Sequence, residues 1–363
     1  MKTKSSLKQI APYQQGKQIQ DIKRQYQIDR IVKLSSNENP YGYADTVRQF
    51  LASYEPAFDI YPDGHTAQLR KDLAYKIKVS ESEIIFGSGS EEIVQMICRA
   101  YLFQGVNTVM AIPTFPQYKH NAIIEGAKIK EIPTIEGHHD LNGMLEAIDQ
   151  DTNVIWLCSP NNPTGTPITK QDFIAFMDTC PQHVLVVLDE AYYEYLDKTK
   201  DLHAMEQIQK YNNLIILRTF SKAYGLAGLR IGYGVANKQI INQLNVVRGP
   251  FNTTSIAQQI AQIALANEAF IEKTRQQNLK VKLDFQAFLD RIGWHYYTSE
   301  TNFMLVSTPT SGTKVFDYLI QHGFIVRPGE LLGIPNTIRF TLGLQDDMYR
   351  MQELLSLYQH QNS

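Results

Sequence analysis

Lys222 has the setting of a nucleophile. It follows an apolar run, Leu214 to Leu217, that reads as a buried strand, and it is reached through the hydroxyls of Thr219 and Ser221. Gly225, Gly228 and Gly232 come next, with Arg230 among them. Desolvation at the mouth of such a strand lowers the pKa of an amine and leaves it usable as a nucleophile. A lysine of this kind forms Schiff bases with carbonyl compounds or with pyridoxal phosphate. The glycines let backbone approach a ligand closely, and Arg230 offers paired charge-assisted hydrogen bonds to a phosphate. A surface lysine on a glycine-rich loop is the other reading of the same residues.

A second group is out of place in the same way. Asp189 ends the apolar stretch Val184 to Leu188, and a carboxylate there is costly unless a cation or several donors meet it. A pyridinium nitrogen is such a cation, and an Asp beside it keeps the ring protonated and able to absorb carbanion charge. An Asp capping the following helix is one rival. A Walker B strand is another, but it needs a GxxxxGK[ST] loop; the only Gly-Lys pair, Gly16-Lys17, has Ala11 at the first glycine position and Gln18 after it. Tyr192, one helical turn beyond Asp189, is placed to bond a ring hydroxyl or simply to pack in the core. Asn162 is placed to donate to the same hydroxyl, or is only a turn former ahead of Pro163. Tyr118 is a candidate to stack on a flat ring or an interior aromatic. Gly87-Ser88-Gly89-Ser90-Glu91 presents free N–H groups and the positive end of a helix, which suits a phosphate. It is not the dinucleotide fingerprint, since Glu92 holds the third glycine position.

These residues need a scaffold that brings them together. The chain has 363 residues, a length that suggests two domains. From residue 84 short apolar runs alternate with helical segments: Ile84 to Phe86, Val109 to Ile112, Val154 to Cys158, Val184 to Leu188, Leu214 to Leu217 and Ile231 to Val235. That pattern predicts an α/β fold, with a mostly parallel sheet covered by helices on both faces. Ligands then bind outside the carboxyl ends of the strands, where every candidate above lies. Residues 238–292 read as helical with a break at Pro250 to Thr253. A smaller α+β unit follows: strand Phe303 to Val306, helix Thr313 to Gln321, strands Phe324 to Val326 and Ile338 to Thr341, and a last helix from Asp346. The expected division is a large domain over 42–248, and a small one made of the arm 1–41 with 249–363.

The formal net charge is −2, which offers no electrostatic footprint for nucleic acid or an anionic membrane. Cys98, Cys158 and Cys180 stand far apart, in no metal-type spacing, and favour free thiols in a reducing compartment. Met1 to Lys8 lacks the apolar core of a signal peptide, and no run is long enough to span a bilayer. The expectation is a cytoplasmic protein.

Taken in order, Gly-Ser-Gly-Ser, Asn-Pro-Thr-Gly, Asp-x-x-Tyr, and Ser-Lys followed by Gly-Leu-Ala-Gly-Leu-Arg-Ile-Gly resemble the fold-type I pyridoxal-phosphate aminotransferases over essentially the whole chain. The resemblance implies Lys222 as the Schiff-base lysine, Asp189 at the pyridine nitrogen, Tyr192 and Asn162 at the ring hydroxyl, and Tyr118 against the ring. It implies a phosphate cup of Ser90, Glu91 (through its backbone N–H), Ser221, Arg230 and Thr219. It also implies a homodimer in which Tyr61 reaches the neighbouring subunit's phosphate. Ala11 to Lys17, Ser36 to Gly42, Tyr61-Pro62-Asp63 and Pro113 to Tyr118 look like the histidinol-phosphate aminotransferase branch. That branch exchanges histidinol phosphate and 2-oxoglutarate for imidazole-acetol phosphate and glutamate. It puts Arg339 on the substrate carboxylate, with Arg327 and Tyr13 near the substrate phosphate. One pocket must hold both anions in turn, and the planar fork of Arg suits either. An aromatic amino-acid aminotransferase or a threonine-phosphate-type decarboxylase would carry the same cofactor motifs.

Overall fold

A computed structural model describes residues 1–12 and 19–362. The strand Val32–Lys33 (β1) precedes seven that build the main sheet: Ile84–Gly87 (β2), Asn107–Ile112 (β3), Lys128–Pro133 (β4), Thr152–Cys158 (β5), Leu185–Asp189 (β6), Leu214–Thr219 (β7) and Gly232–Ala236 (β8). Their order is β2-β8-β7-β6-β5-β3-β4. Only β8 opposes its neighbours; it pairs antiparallel with both β2 and β7. The other pairs are parallel. The sheet is thus mostly parallel, as its apolar runs predict. Edge strand β4 (Lys-Ile-Lys-Glu-Ile-Pro) was not foreseen. It is only partly buried and reads as charged rather than apolar, as a sheet edge often does.

Side-chain alternation along the strands splits the apolar residues between two layers. Val186, Leu188, Leu214 and Ile216 join Leu69, Leu73, Phe173 and Phe176 in one core. Leu185, Val187, Ile215 and Leu217 join Ile93, Ile97, Tyr118 and Trp156 in the other. Each of these side chains, fully buried, contributes about 1.5–3 kcal/mol relative to exposure. The same alternation turns Asp189, two residues past Val187, toward the second layer.

Phe303–Ser307 (β9), Phe324–Ile325 (β10), Arg327–Pro328 (β11) and Thr337–Thr341 (β12) follow. Strands β11, β12 and β9 form an antiparallel sheet, and β10 pairs with β1. The helices Glu268–Ile292, Gly312–Gln321 and Gln345–Asn362 pack Phe285, Leu289, Val315, Leu319, Met348 and Leu355 on Met304, Val306 and Phe340. Leu34 joins this core, and its carbonyl accepts from Thr341 N at 2.9 Å. The helix Ser255–Leu265, capped by Thr254, instead sends Ala257, Ile260 and Ala261 into the first core. Apolar packing therefore passes from one core to the next within Glu268–Ile292, beyond the expected boundary at residues 248 and 249.

Candidate active site

Because β8 alone runs against the rest, the carboxyl ends of β2, β3, β5, β6 and β7 share one edge of the sheet. A cleft of about 540 Å³ lies there. Ser90, Glu91, Asn162, Asp189, Tyr192, Thr219, Ser221, Lys222, Arg230, Arg327 and Arg339 all line it. A slightly larger hollow of about 570 Å³, around Tyr193, Arg218, Tyr224 and Tyr233, contains none of them.

Register explains one end of the cleft. Gly232 lies opposite Gly87 on one side and Thr219 on the other. The turn after β2, the hydroxyls after β7 and Arg230 ahead of β8 are thereby gathered. Arg230 adopts a left-handed φ of 52°. Its Nη1 donates to Ser221 Oγ and Ala227 O, both at 3.2 Å, and Nη2 donates to Ser88 O at 3.4 Å. All three acceptors are neutral oxygens, so the guanidinium charge is left for an anion. Gly89 has a φ of 80°, and a Cβ there would run into that guanidinium; only glycine fits. The helix Ser90–Tyr101 starts at this point with its first N–H groups unpaired within the helix.

In the middle of the cleft stand the carboxylate and the amine. Asp189 is 4% exposed. Its Oδ2 accepts from Tyr118 OH at 2.7 Å and its Oδ1 from Ala191 N at 3.0 Å. Burial holds its carboxyl above the usual range, against these two neutral donors and the charge of Lys222. Lys222 Nζ donates to Ser36 O at 3.1 Å and lies 5.7 Å from the centre of the Tyr192 ring. Burial, helped by the charge of Arg339, pulls its pKa down to about 8. The neutral fraction of that amine therefore grows as pH rises, is half at about pH 8 and saturates roughly one to two pH units above that. With the cofactor removed, labelling of Lys222 by a carbonyl reagent should reach half its plateau near about pH 8; a midpoint near about pH 10, the range of an ordinary lysine, would contradict it. The loop carrying the lysine turns back at Gly225, whose φ is 72° and whose added Cβ would strike the Gly42 carbonyl. Gly225→Ala should cost about 2 kcal/mol or more of stability, read by chemical denaturation.

The far end is cationic. Arg327 on β11 lies directly across from Arg339 on β12, and both face the cleft. Like charges in cross-strand positions repel unless an anion lies between them. Arg339 is 7% exposed; Nη1 donates to Asn162 Oδ1 at 2.6 Å and Nη2 to Ser35 O at 2.8 Å.

One expectation fails on position and another on local structure. Tyr118 does not line the cleft; it is wholly buried behind Asp189, stacked on Trp156 with ring centres 4.6 Å apart. The aromatic that does line the cleft is Phe115, three residues earlier in the same Pro-Thr-Phe-Pro segment. Tyr192 is not on an α-helical turn: the chain turns after Asp189 and enters a 3₁₀ helix at Tyr193–Tyr195, which still leaves Tyr192 lining the cleft. Tyr61 stands apart from this cleft, 79% exposed and stacked on Phe251. Tyr13 lies outside the described residues. The role of Asn37 was missed. At a left-handed φ of 56° it donates from Nδ2 to Tyr192 OH at 2.9 Å, and its carbonyl accepts from Asn302 Nδ2 at 3.0 Å. Its place in the Ser-Asn-Glu-Asn-Pro-Tyr-Gly cluster was the available signal.

Known proteins are similar throughout. The model of the family "Aminotransferase class I and II" matches residues 29–352. Histidinol-phosphate aminotransferase 2 of Oceanobacillus iheyensis is 59% identical, covering 99% of this chain and 100% of that protein. Histidinol-phosphate aminotransferase of Anoxybacillus flavithermus is 52% identical over 94% of this chain and 92% of that protein. Among solved structures, the Sinorhizobium meliloti histidinol-phosphate aminotransferase in complex with pyridoxal-5′-phosphate superposes with a TM-score of 0.89. It is 25% identical and covers 99% of this chain and 98% of that one. The chain therefore belongs to the class I and II aminotransferases and groups within them with the histidinol-phosphate aminotransferases.

Proposed function

We propose that this protein is a pyridoxal-phosphate-dependent aminotransferase that moves the amino group of histidinol phosphate to 2-oxoglutarate, giving imidazole-acetol phosphate and glutamate in histidine biosynthesis. The observation that carries the reading is a single cleft holding a depressed lysine amine, a buried carboxylate in need of a cation, and an uncompensated arginine at a helix N-terminus. Each matches one part of the cofactor: aldehyde, ring nitrogen and phosphate. When bound, the cofactor supplies an aldehyde that condenses with amines and a ring that accepts electron density from the substrate α-carbon.

The chain's own residues divide the remaining work. Ser90, Glu91 through its N–H, Thr219, Ser221 and Arg230 hold the phosphate. Asp189 holds the proton on the ring nitrogen, and Phe115 offers its face to the ring. Tyr192 and Asn162 meet the ring hydroxyl; Asn162 Oδ1 is already taken by Arg339, so its Nδ2 is the donor. Lys222 Nζ takes the α-proton and returns it, which its low pKa suits. Arg339 and Arg327 grip the carboxylate of glutamate or the phosphate of histidinol phosphate, with Tyr13 as a further phosphate contact. Arg230→Ala should weaken cofactor binding about 10- to 100-fold, the worth of charge-assisted hydrogen bonds to a phosphate; titration of the cofactor-free protein reads this directly.

The protein acts in the cytoplasm as a homodimer. Phe58, Ile60 and Tyr61, at 87%, 66% and 79% exposure, form an apolar stretch suited to a second copy, and Tyr61 would reach the partner's cleft. Among the described residues no helix is long and apolar enough to cross a membrane.

Steady-state rates with histidinol phosphate, set beside those with phenylalanine and tyrosine, test the assignment. Parallel double-reciprocal lines and a preference for histidinol phosphate are expected. Preference for the aromatic amino acids, or release of carbon dioxide, would assign a different reaction on the same scaffold.

A further inference from the structure

We infer that Tyr118 is a positioning residue for the reaction: from inside the core, its hydroxyl keeps the Asp189 carboxylate ionised and aimed at the cofactor's ring nitrogen. The inference rests on the pyridoxal phosphate reading above. Tyr118 belongs to the helix Pro116–Glu125 and is wholly buried. Its ring is fixed on both sides. Trp156 stacks on it at 4.6 Å and 12°, and Phe115 meets it edge-on at 5.4 Å. Trp156 is itself anchored, since Nε1 donates to Thr108 Oγ1 at 2.8 Å and that hydroxyl donates to Val154 O at 2.8 Å. A continuous set of contacts thus runs from the sheet interior to Asp189 Oδ2.

The carboxylate depends on this donor. Among the described residues only the Tyr118 hydroxyl and the Ala191 N–H reach it by hydrogen bond, one to each oxygen. The other titratable groups close enough to exchange charge effects with it are Lys222 beyond β7, Cys158 at the end of β5, and Tyr192 and the Arg218-paired Glu190 in the turn after β6. Lys222 is the only cation among these, and its amine serves the substrate side of the cleft. Without the phenol, Oδ2 would face apolar ring carbons, and a buried carboxyl in that setting takes up a proton. A protonated Asp189 cannot hold a protonated ring nitrogen. Phe115 and Tyr118 thereby divide the Pro-Thr-Phe-Pro-Gln-Tyr segment. One residue touches the cleft, and the next turn of the helix governs the charge behind it.

The test is the dissociation constant of pyridoxal phosphate, measured by titrating cofactor-free full-length protein across pH. It is run for the unaltered chain, Tyr118→Phe, Asp189→Asn and the double variant. Tyr118→Phe should weaken binding about tenfold near neutral pH. It should also move the acid limb, where affinity falls as Asp189 protonates, upward by about one pH unit. In the Asp189→Asn background the same substitution should change nothing further, because no carboxylate remains to be held. Equal losses in both backgrounds would reduce Tyr118 to packing and overturn the inference, as would an unmoved acid limb. If Tyr118→Phe is not recovered folded, 3-fluorotyrosine at position 118 keeps the ring and strengthens the donor. The acid limb should then move to lower pH, and a limb that stays in place counts against the inference. Failure of the unaltered chain to bind the cofactor would instead reject the functional reading itself.

Discussion

Lys222→Ala is expected to retain bound pyridoxal phosphate and to lose turnover by at least about 10⁴-fold. The two halves of that result have separate causes. Cofactor retention follows from groups that the substitution leaves untouched: the Arg230 guanidinium with its neutral partners, the N-terminus of the helix Ser90–Tyr101, and the Asp189 carboxylate. Loss of turnover follows because, among the described residues, no other amine lines the cleft. Arg230, Arg327 and Arg339 are cations, but a guanidinium does not release its proton near neutral pH. Dialysis followed by cofactor quantitation reads the first half, and single-turnover kinetics read the second. Normal turnover in this variant would remove the lysine from the chemistry.

Asp189→Ala is expected to lower kcat by about 10²–10³-fold, the usual cost of deleting one preorganised electrostatic partner of a developing charge. Cofactor affinity should fall with it, since the ring nitrogen would face the hydroxyl of Tyr118 and a void. Asp189→Glu is a poorer replacement than its charge suggests. The carboxylate is 4% exposed and bonded on both oxygens, so an added methylene has no room without moving Tyr118 or the turn at Ala191. An unchanged rate in the Asp189→Ala variant would show that another group holds the nitrogen.

Much of this was legible in the chain because strand ends announce themselves. Hydroxyls, a lysine or an aspartate directly after an apolar run break the pattern of a buried strand, and Asp189, Thr219, Ser221 and Lys222 all sit at such breaks. Once the strands are parallel, their ends must share an edge. What stayed hidden depends on side-chain direction. Phe115 and Tyr118 are three residues apart at the start of one helix, and spacing alone does not say which faces the cleft; packing on Trp156 decides it. The pairing of Arg327 with Arg339 was likewise out of reach, because β11 is two residues long and has no periodicity to read. Asn37 was hidden for a third reason. Its bond to Tyr192 joins segments far apart in the chain, and the surrounding turn cluster marks the place without naming the partner.

Lys222, and no other side chain, is expected to be joined covalently to pyridoxal phosphate in the resting protein. Borohydride reduction of the purified protein, followed by peptide mass spectrometry, locates the attachment. The expected result is one stable cofactor adduct, on the peptide containing Lys222. An unmodified Lys222 peptide, or the adduct on a different lysine, would contradict it.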